Sequence, residues 1–295
     1  MKIYDCTTYY SEDLLLDVRF NILNENIHKF IVVESLFSHS GNKKKLNFDI
    51  NNFKKFKDKI IYLVIENEPE NIDFSYGNNT PSYIKRLNSL KRIEQSYDFM
   101  RKGLEEASDD DLIILSDNDE IPNLNSREFL SCNHNKILIF EQLFFYYKFD
   151  LLYDRMLWYG SKACKKKKLQ SFSWLRNLKN KEYPFWRADT YFTKHKSTNS
   201  HIIKNGGWHF TNVKTAEDLY EKFKNFGHHN EFEDSGITLD SIKEQIFSGE
   251  VKYNHYADKT AHDKHTFSYK LKKSNKEILP EYLRLNSAKY KKWFS

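Results

Sequence analysis

The stretch Leu112-Ile113-Ile114-Leu115-Ser116-Asp117-Asn118-Asp119-Glu120-Ile121-Pro122 carries four apolar residues into two aspartates one residue apart, then a glutamate and a proline. The apolar run has the length and composition of a short buried strand. Pro122 stops regular structure just beyond it. The acidic cluster therefore falls at the carboxyl end of a central strand, where open α/β sheets place their ligands. Carboxylates at i and i+2 on a turn can face one point, and hard oxygen ligands in a small open site suit Mg²⁺ or Mn²⁺. The competing reading, which an isolated Asp-x-Asp does not exclude, is an acidic turn that caps the following helix.

Upstream, residues about 2–8 read as a first strand. Ser11 resembles an N-cap, followed by acidic Glu12 and Asp13 and by a helical apolar stripe, Leu14, Leu15, Val18, Ile22 and Leu23, that runs to about residue 26. Phe30 to Val33 is a second strand, ending in Glu34; a polar, basic loop covers residues 38–45; Ile60 to Ile65 is a third strand. A long helix over about residues 83–106 leads into the strand that carries the aspartates. Strand-helix alternation to residue 122 predicts a parallel-type sheet with helices on both faces.

Downstream, Ile137 to Phe149 reads as one long strand or two joined ones. Lys165 to Lys168 reads as a solvated loop. Gly206-Gly207-Trp208-His209-Phe210 precedes a capping box at Thr215 to Asp218, whose helix runs to about Phe226 and stops at Gly227. Thr238 opens another short helix, and the tail from Lys264 on is basic and aromatic and packs on the outside. There is no internal repeat and no clear linker, so the chain reads as one domain.

The composition of 295 residues, with abundant aromatics and little Gly or Pro, is that of an ordinary folded protein. The net charge of +6 is mild and fits an anionic small ligand as well as nucleic acid. Cys6, Cys132 and Cys164 are odd in number and lack metal-site spacing, which argues against a disulfide framework or structural zinc. No stretch approaches a membrane span and no signal peptide is visible, so a cytoplasmic location is expected.

Tyr4-Asp5-Cys6, then Glu12, Leu15 and Arg19, then Val33-Glu34-Ser35 with Ser38-His39-Ser40-Gly41 and Lys45, then Asp111 through Pro122, and then Gly207-Trp208-His209-Phe210 follow one another in an order and spacing that resembles family 17 of the glycosyltransferases. The resemblance covers about residues 1–235. Two departures stand out. Tyr10-Ser11-Glu12 replaces an aromatic-Asn-Glu, and Glu94-Gln95-Ser96 lacks a Gln-Arg pair, so Arg92 or Arg101 would have to stand in for that arginine. With neither anchor nor cysteine framework, the sequence suggests a prokaryotic or viral member.

The resemblance implies a single-domain α/β glycosyltransferase fold of the A type, with a mixed, mostly parallel sheet flanked by helices. Residues 1–122 would form the nucleotide-sugar half, 123–260 the acceptor half and 261–295 a tail packed on the domain. It implies inverting transfer of a sugar, N-acetylglucosamine above all, from a uridine-diphosphate donor to a glycan hydroxyl, assisted by Mn²⁺ or Mg²⁺. Asp117 and Asp119 would hold the cation, with His209 as nitrogen ligand or proton donor to the diphosphate. Asp5 and Glu34, at strand ends, would meet the nucleoside, and His39, Lys44 and Lys45 would close over the diphosphate. Glu120, Glu231 and Asp189 are candidates for the base that takes the acceptor proton. Two other classes compete: a carbohydrate-binding protein without catalysis, and a nucleic-acid binder using the lysine run, for which no recognition motif is present.

Overall fold

In the computed structural model the two larger sheets of the described residues meet at the acidic turn. Residues 1–75, 77, 80–190, 192–225, 232, 235–255 and 267–295 are described. Strands β1 (Ile3–Thr8), β2 (Lys29–Ser35), β3 (Ile60–Ile65) and β4 (Leu112–Ser116) run parallel in the order β3-β2-β1-β4. The short β5 (Glu120–Pro122) follows, then β6 (Ile137–Phe140), β7 (Leu143–Tyr146), β8 (Leu151–Leu152), β9 (Lys162–Lys165), β10 (Ser200–Ile203) and β11 (Gly207–Thr211). The first sheet continues past β4 through antiparallel β9 to β6 and β10. The second sheet sets β5, β11, β7 and β8 side by side and ends on Lys272–Lys273. Three strands from beyond residue 122 thus return to the first sheet.

Leu112, Ile113, Ile114 and Leu115 of β4 are fully buried, as a strand covered on both faces requires. One face of the sheet packs α1 (Asp13–Leu23) through Leu16 and Phe20. The other packs α2 (Ser82–Phe99), past the short α3 (Arg127–Ser131), and α4 (Phe172–Asn177) through Tyr97, Phe172 and Leu175. The second sheet is covered by α5 (Ala216–Asn225) and the helix Leu239–Ser248 around Leu219 and Ile242. Thr215 caps α5 by accepting Asp218 N at 3.2 Å, and Thr238 closes a capping box with Ser241 on the next helix. The expected helix end at Phe226 and Gly227 lies outside the described residues.

Four local expectations are corrected, and the alternatives left for residues 137–149 are decided. Glu12, not Ser11, takes the N-cap position of α1; its side chain makes no capping bond to the helix and instead accepts from the preceding N–H groups of Tyr10 and Ser11 at 3.0 Å. The long helix ends at Phe99 and tightens into a 3₁₀ turn over Met100–Leu104, where a side chain on Gly103 would meet Ile31 at 2.8 Å. The 137–149 run is two strands in two sheets. It breaks at Glu141, whose N–H and C=O are taken by Ile203 O and Gly206 N at 3.0 and 2.7 Å. The lysine run is pinned rather than solvated: Lys165 and Lys167 hold Asp110 at 2.9 and 2.8 Å, and Lys166 caps the carbonyls of Leu104 and Ala107 at 2.9 and 2.5 Å. The tail is part of the core, with Leu279, Leu283 and Tyr290 buried against α1 and β11 residues. Among the described residues no helix is long and apolar enough to cross a membrane.

Gly207 is what lets the two sheets meet. β11 pairs antiparallel with β5, setting Gly207 opposite Pro122 and His209 opposite Glu120. Its φ is +136°, and a Cβ there would lie 2.1 Å from Ile121 O, so the pairing admits glycine alone.

Candidate active site

A cleft of about 320 Å³ lies across the carboxyl ends of β1, β2 and β4. Tyr9 and Tyr10 follow β1 into it, Ser35 ends β2, and Asp117, Asn118 and Asp119 follow β4; Arg86 from α2 and Lys222 from α5 bring cations to its rim. Carboxylates and cations thus share one opening, an arrangement suited to an anionic ligand carried with a metal.

The acidic turn is held from below. Arg19 is fully buried; its Nη1 donates to Glu120 O at 2.6 Å and its Nε to Asp5 Oδ2 at 2.7 Å. Asp5 is equally buried, and with Arg19 it forms the floor of the turn. Arg176, from α4, clamps the side: Nη2 reaches Asp117 Oδ2 at 2.7 Å, and Nη1 reaches Glu120 Oε2 at 2.6 Å and Gly160 O at 2.8 Å. Trp158 Nε1 and Asp117 N donate to the two oxygens of Glu120 at 2.7 and 2.9 Å. Gly160 has no side chain because a Cβ would sit 2.0 Å from the Glu120 carboxyl.

These contacts separate the three acids. Burial raises the Asp117 carboxyl to about 6, helped by Glu120 and Asp119 and opposed by Arg176. Burial also acts to raise Glu120, but Arg176 and the indole of Trp158 overcome it and hold that carboxyl down at about 2. Asp119, likewise raised by burial, is brought below the usual carboxylate range chiefly by His209. Glu120, the first of the expected bases, is 1% exposed, has both oxygens engaged by Arg176, Trp158 and the Asp117 N–H, and is not among the residues that line the cleft.

His209 is 5% exposed and packs on two rings that also touch each other, Phe144 at 4.7 Å and Trp158 at 4.5 Å. Its Nε2 stands 3.5 Å from Asp119 Oδ2, and its buried Nδ1 has no hydrogen-bond partner among the described residues. Asp117 has both oxygens engaged, by Arg176 and by Tyr97 OH at 2.8 Å, whereas Asp119 has only His209 among the described side chains. No three His, Cys, Asp or Glu side chains among the described residues converge into a preformed metal cage. Asp117 and Asp119 bring carboxylate oxygens to the cleft, the donor type that Mn²⁺ or Mg²⁺ takes, whereas His209 stands behind Asp119 and does not line it.

Of the other expected residues, His39 and Lys44 line the cleft, and Lys45 is exposed outside it. Glu34 is buried and binds Lys44, Tyr62 OH at 2.8 Å and the N–H of Asn47 at 2.8 Å, so it anchors the basic loop. Asp189 is apart from the cleft lining and paired with Arg187 and Lys196 at 2.7 and 2.6 Å. Glu231 lies outside the described residues. Arg92 pairs with Glu68 at 2.7 Å and Arg101 with the carbonyl of Gln170 at 2.7 Å, leaving Arg86 as the arginine of that region that lines the cleft. Sequence reasoning missed Arg176, Trp158 and Tyr97, and gave no role to Lys222. The one local signal near Arg176 is Ser171, which caps α4 by accepting Trp174 N at 2.9 Å.

Glu12 lines the cleft and faces Lys214 at 3.3 Å. Burial acts to raise its carboxyl, but Lys214, Lys222 and two backbone N–H groups bring it from 4.5 to about 2. A carboxyl depressed on folding contributes stability that is complete above about 4.5 and lost as pH falls toward 2, at most about 3 kcal/mol here. Glu12→Gln should therefore melt below the wild type at neutral pH, and the gap should narrow steadily below about pH 4.5; a gap independent of pH would mean that the charge of Glu12 is not what stabilises the fold.

The model of glycosyltransferase family 17 matches residues 1–294. The match takes in the tail that the sequence motifs, ending near residue 235, left aside. No curated protein matches the chain.

Proposed function

The chain belongs to glycosyltransferase family 17, and from that premise we propose that it transfers N-acetylglucosamine, with inversion, from its uridine diphosphate to a glycan hydroxyl. It is a glycosyltransferase with a mixed α/β fold. The strand order β3-β2-β1-β4, followed by antiparallel β9, supports the A-type assignment. The observation that carries the donor reading is the position of Asp117 and Asp119 at the carboxyl end of β4, facing a cleft rimmed by Arg86 and Lys222.

Transfer makes a leaving diphosphate, whose developing charge needs fixed positive partners. Lys222 and Arg86 stand at the rim for that purpose, and Lys44 approaches from the basic loop. Mn²⁺ or Mg²⁺, held by Asp119 with Asp117, would supply further neutralisation there. Arg176, Glu120 and Arg19 keep the turn rigid, so that Asp119 meets its ligand without reorganisation. The proton of the acceptor hydroxyl needs a carboxylate free of such clamps; Glu120 is clamped and Asp189 is paired, so Glu231 is the sequence candidate that keeps this role.

The test is thermal melting with a panel of nucleotide sugars, with and without Mn²⁺, because a ligand of the native state raises the midpoint. A uridine-diphosphate sugar should raise it only with the metal present. A shift given by other nucleotide sugars alone, or by none, would overturn the donor assignment.

A further inference from the structure

We propose that residues 179–196 form a loop that seats the enzyme on an anionic lipid surface. The segment leaves the end of α4 and returns to the same place. Lys179 N donates to His195 O at 2.8 Å, and Trp174 Nε1 donates to Lys194 O at 2.9 Å, so the neck is tied to the body of the domain. Beyond the neck, Asp189 joins Arg187 to Lys196, and both cations lie by the ring of Tyr183, at 5.5 and 6.0 Å. These contacts shape the loop without giving it an apolar core. Phe185, Trp186 and Phe192 are left 74%, 73% and 89% exposed.

Large aromatic side chains gathered on one short exposed loop mark a contact surface. The charge identifies the partner. Lys179, Lys181, Arg187, Lys194 and Lys196 face two acids, Glu182 and Asp189, which gives +3 in eighteen residues against +6 for the whole chain. Rings flanked by lysines match the headgroup region of a bilayer: the rings enter the boundary, the lysine stems lie along it, and the ammonium groups meet lipid phosphates. The neck begins three residues after Arg176, so the lipid contact and the clamp on the acidic turn share one short helix.

The test is co-sedimentation of the full chain with vesicles of phosphatidylcholine, alone or mixed with phosphatidylglycerol, at low and high salt. The wild type should bind the mixed vesicles, more weakly as salt rises. Phe185→Ser with Trp186→Ser and Phe192→Ser should cut that binding at least about tenfold, or about 1.4 kcal/mol, with an unchanged melting midpoint. Should the triple variant fail to fold, Phe192→Ser alone carries the test through a smaller loss. Lys181→Gln with Lys194→Gln should lower binding to mixed vesicles and leave that to phosphatidylcholine unchanged. The proposal is overturned if the wild type does not sediment with mixed vesicles, if the aromatic variants bind as well as the wild type, or if those variants alter self-association of the protein and not its lipid binding.

Discussion

Replacing Arg176 with alanine will destabilise the protein by about 3–5 kcal/mol, because it strands the buried Glu120 carboxylate and also takes the cation from half-exposed Asp117. Glu120 is 1% exposed and takes two hydrogen bonds from this guanidinium; Asp117 takes a third at 2.7 Å. Among the described residues no other cation makes a salt bridge with Glu120, so the loss has no local substitute. Arg176→Lys will recover little, since a single ammonium cannot serve two carboxylates with the geometry of a planar fork. Glu120→Gln in the Arg176→Ala background will restore part of the loss by removing the charge that was stranded. Urea denaturation of the four proteins measures this. If Arg176→Ala costs less than about 1 kcal/mol, the value of an exposed pair, the clamp is not what organises the turn.

Asp119→Asn will lower sugar transfer by at least about 10²-fold while leaving the melting midpoint within a few degrees of the wild type. The two halves of this expectation have separate causes. Asp119 lines the cleft and, among the described side chains, meets only His209, so the fold draws little on its charge. Neutralising it removes one of the two carboxylates proposed to face the leaving diphosphate and its cation, and the loss of one such preorganised electrostatic partner costs about 10²–10³ in rate. Steady-state release of uridine diphosphate gives the first number and calorimetric melting the second. An unfolded variant, or one of full activity, contradicts the assignment. Asp117 is the informative contrast: with Arg176 and Tyr97 attached to it, Asp117→Asn should lose stability together with activity.

What the sequence disclosed and what it withheld follow from the range of the forces involved. β4 was legible because a strand covered on both faces must be apolar without interruption, and the aspartates must then fall at its end. The glycine turn before His209 was legible because Gly207 takes a backbone conformation that few other residues can adopt. Glu120 shows the limit of local reasoning. Alternation predicts that its side chain turns away from its neighbours, but it does not disclose that Arg176 and Trp158 are what its carboxylate meets. Arg176 itself was out of reach: it comes from a six-residue helix and meets Glu120 across 56 positions of chain. Glu34 does fall near the end of β2, whereas Asp5 lies in the middle of β1, and nothing in their neighbours told that Arg19 and Lys44 would bind them. The tail hid its burial for a similar reason, since Leu279, Leu283 and Tyr290 enter the core singly, without a period to betray them.

The central claim is that the cleft beside the acidic turn receives a uridine-diphosphate sugar. Amide hydrogen exchange with and without uridine diphosphate-N-acetylglucosamine and Mn²⁺ tests it most directly, because slowed exchange reports locally where ligand binding suppresses opening of the fold. The account predicts slower exchange in residues 8–12, 33–39 and 117–120, dependent on the metal and absent in Asp119→Asn. Protection confined to other segments, or unchanged exchange at saturating donor and metal, would contradict it.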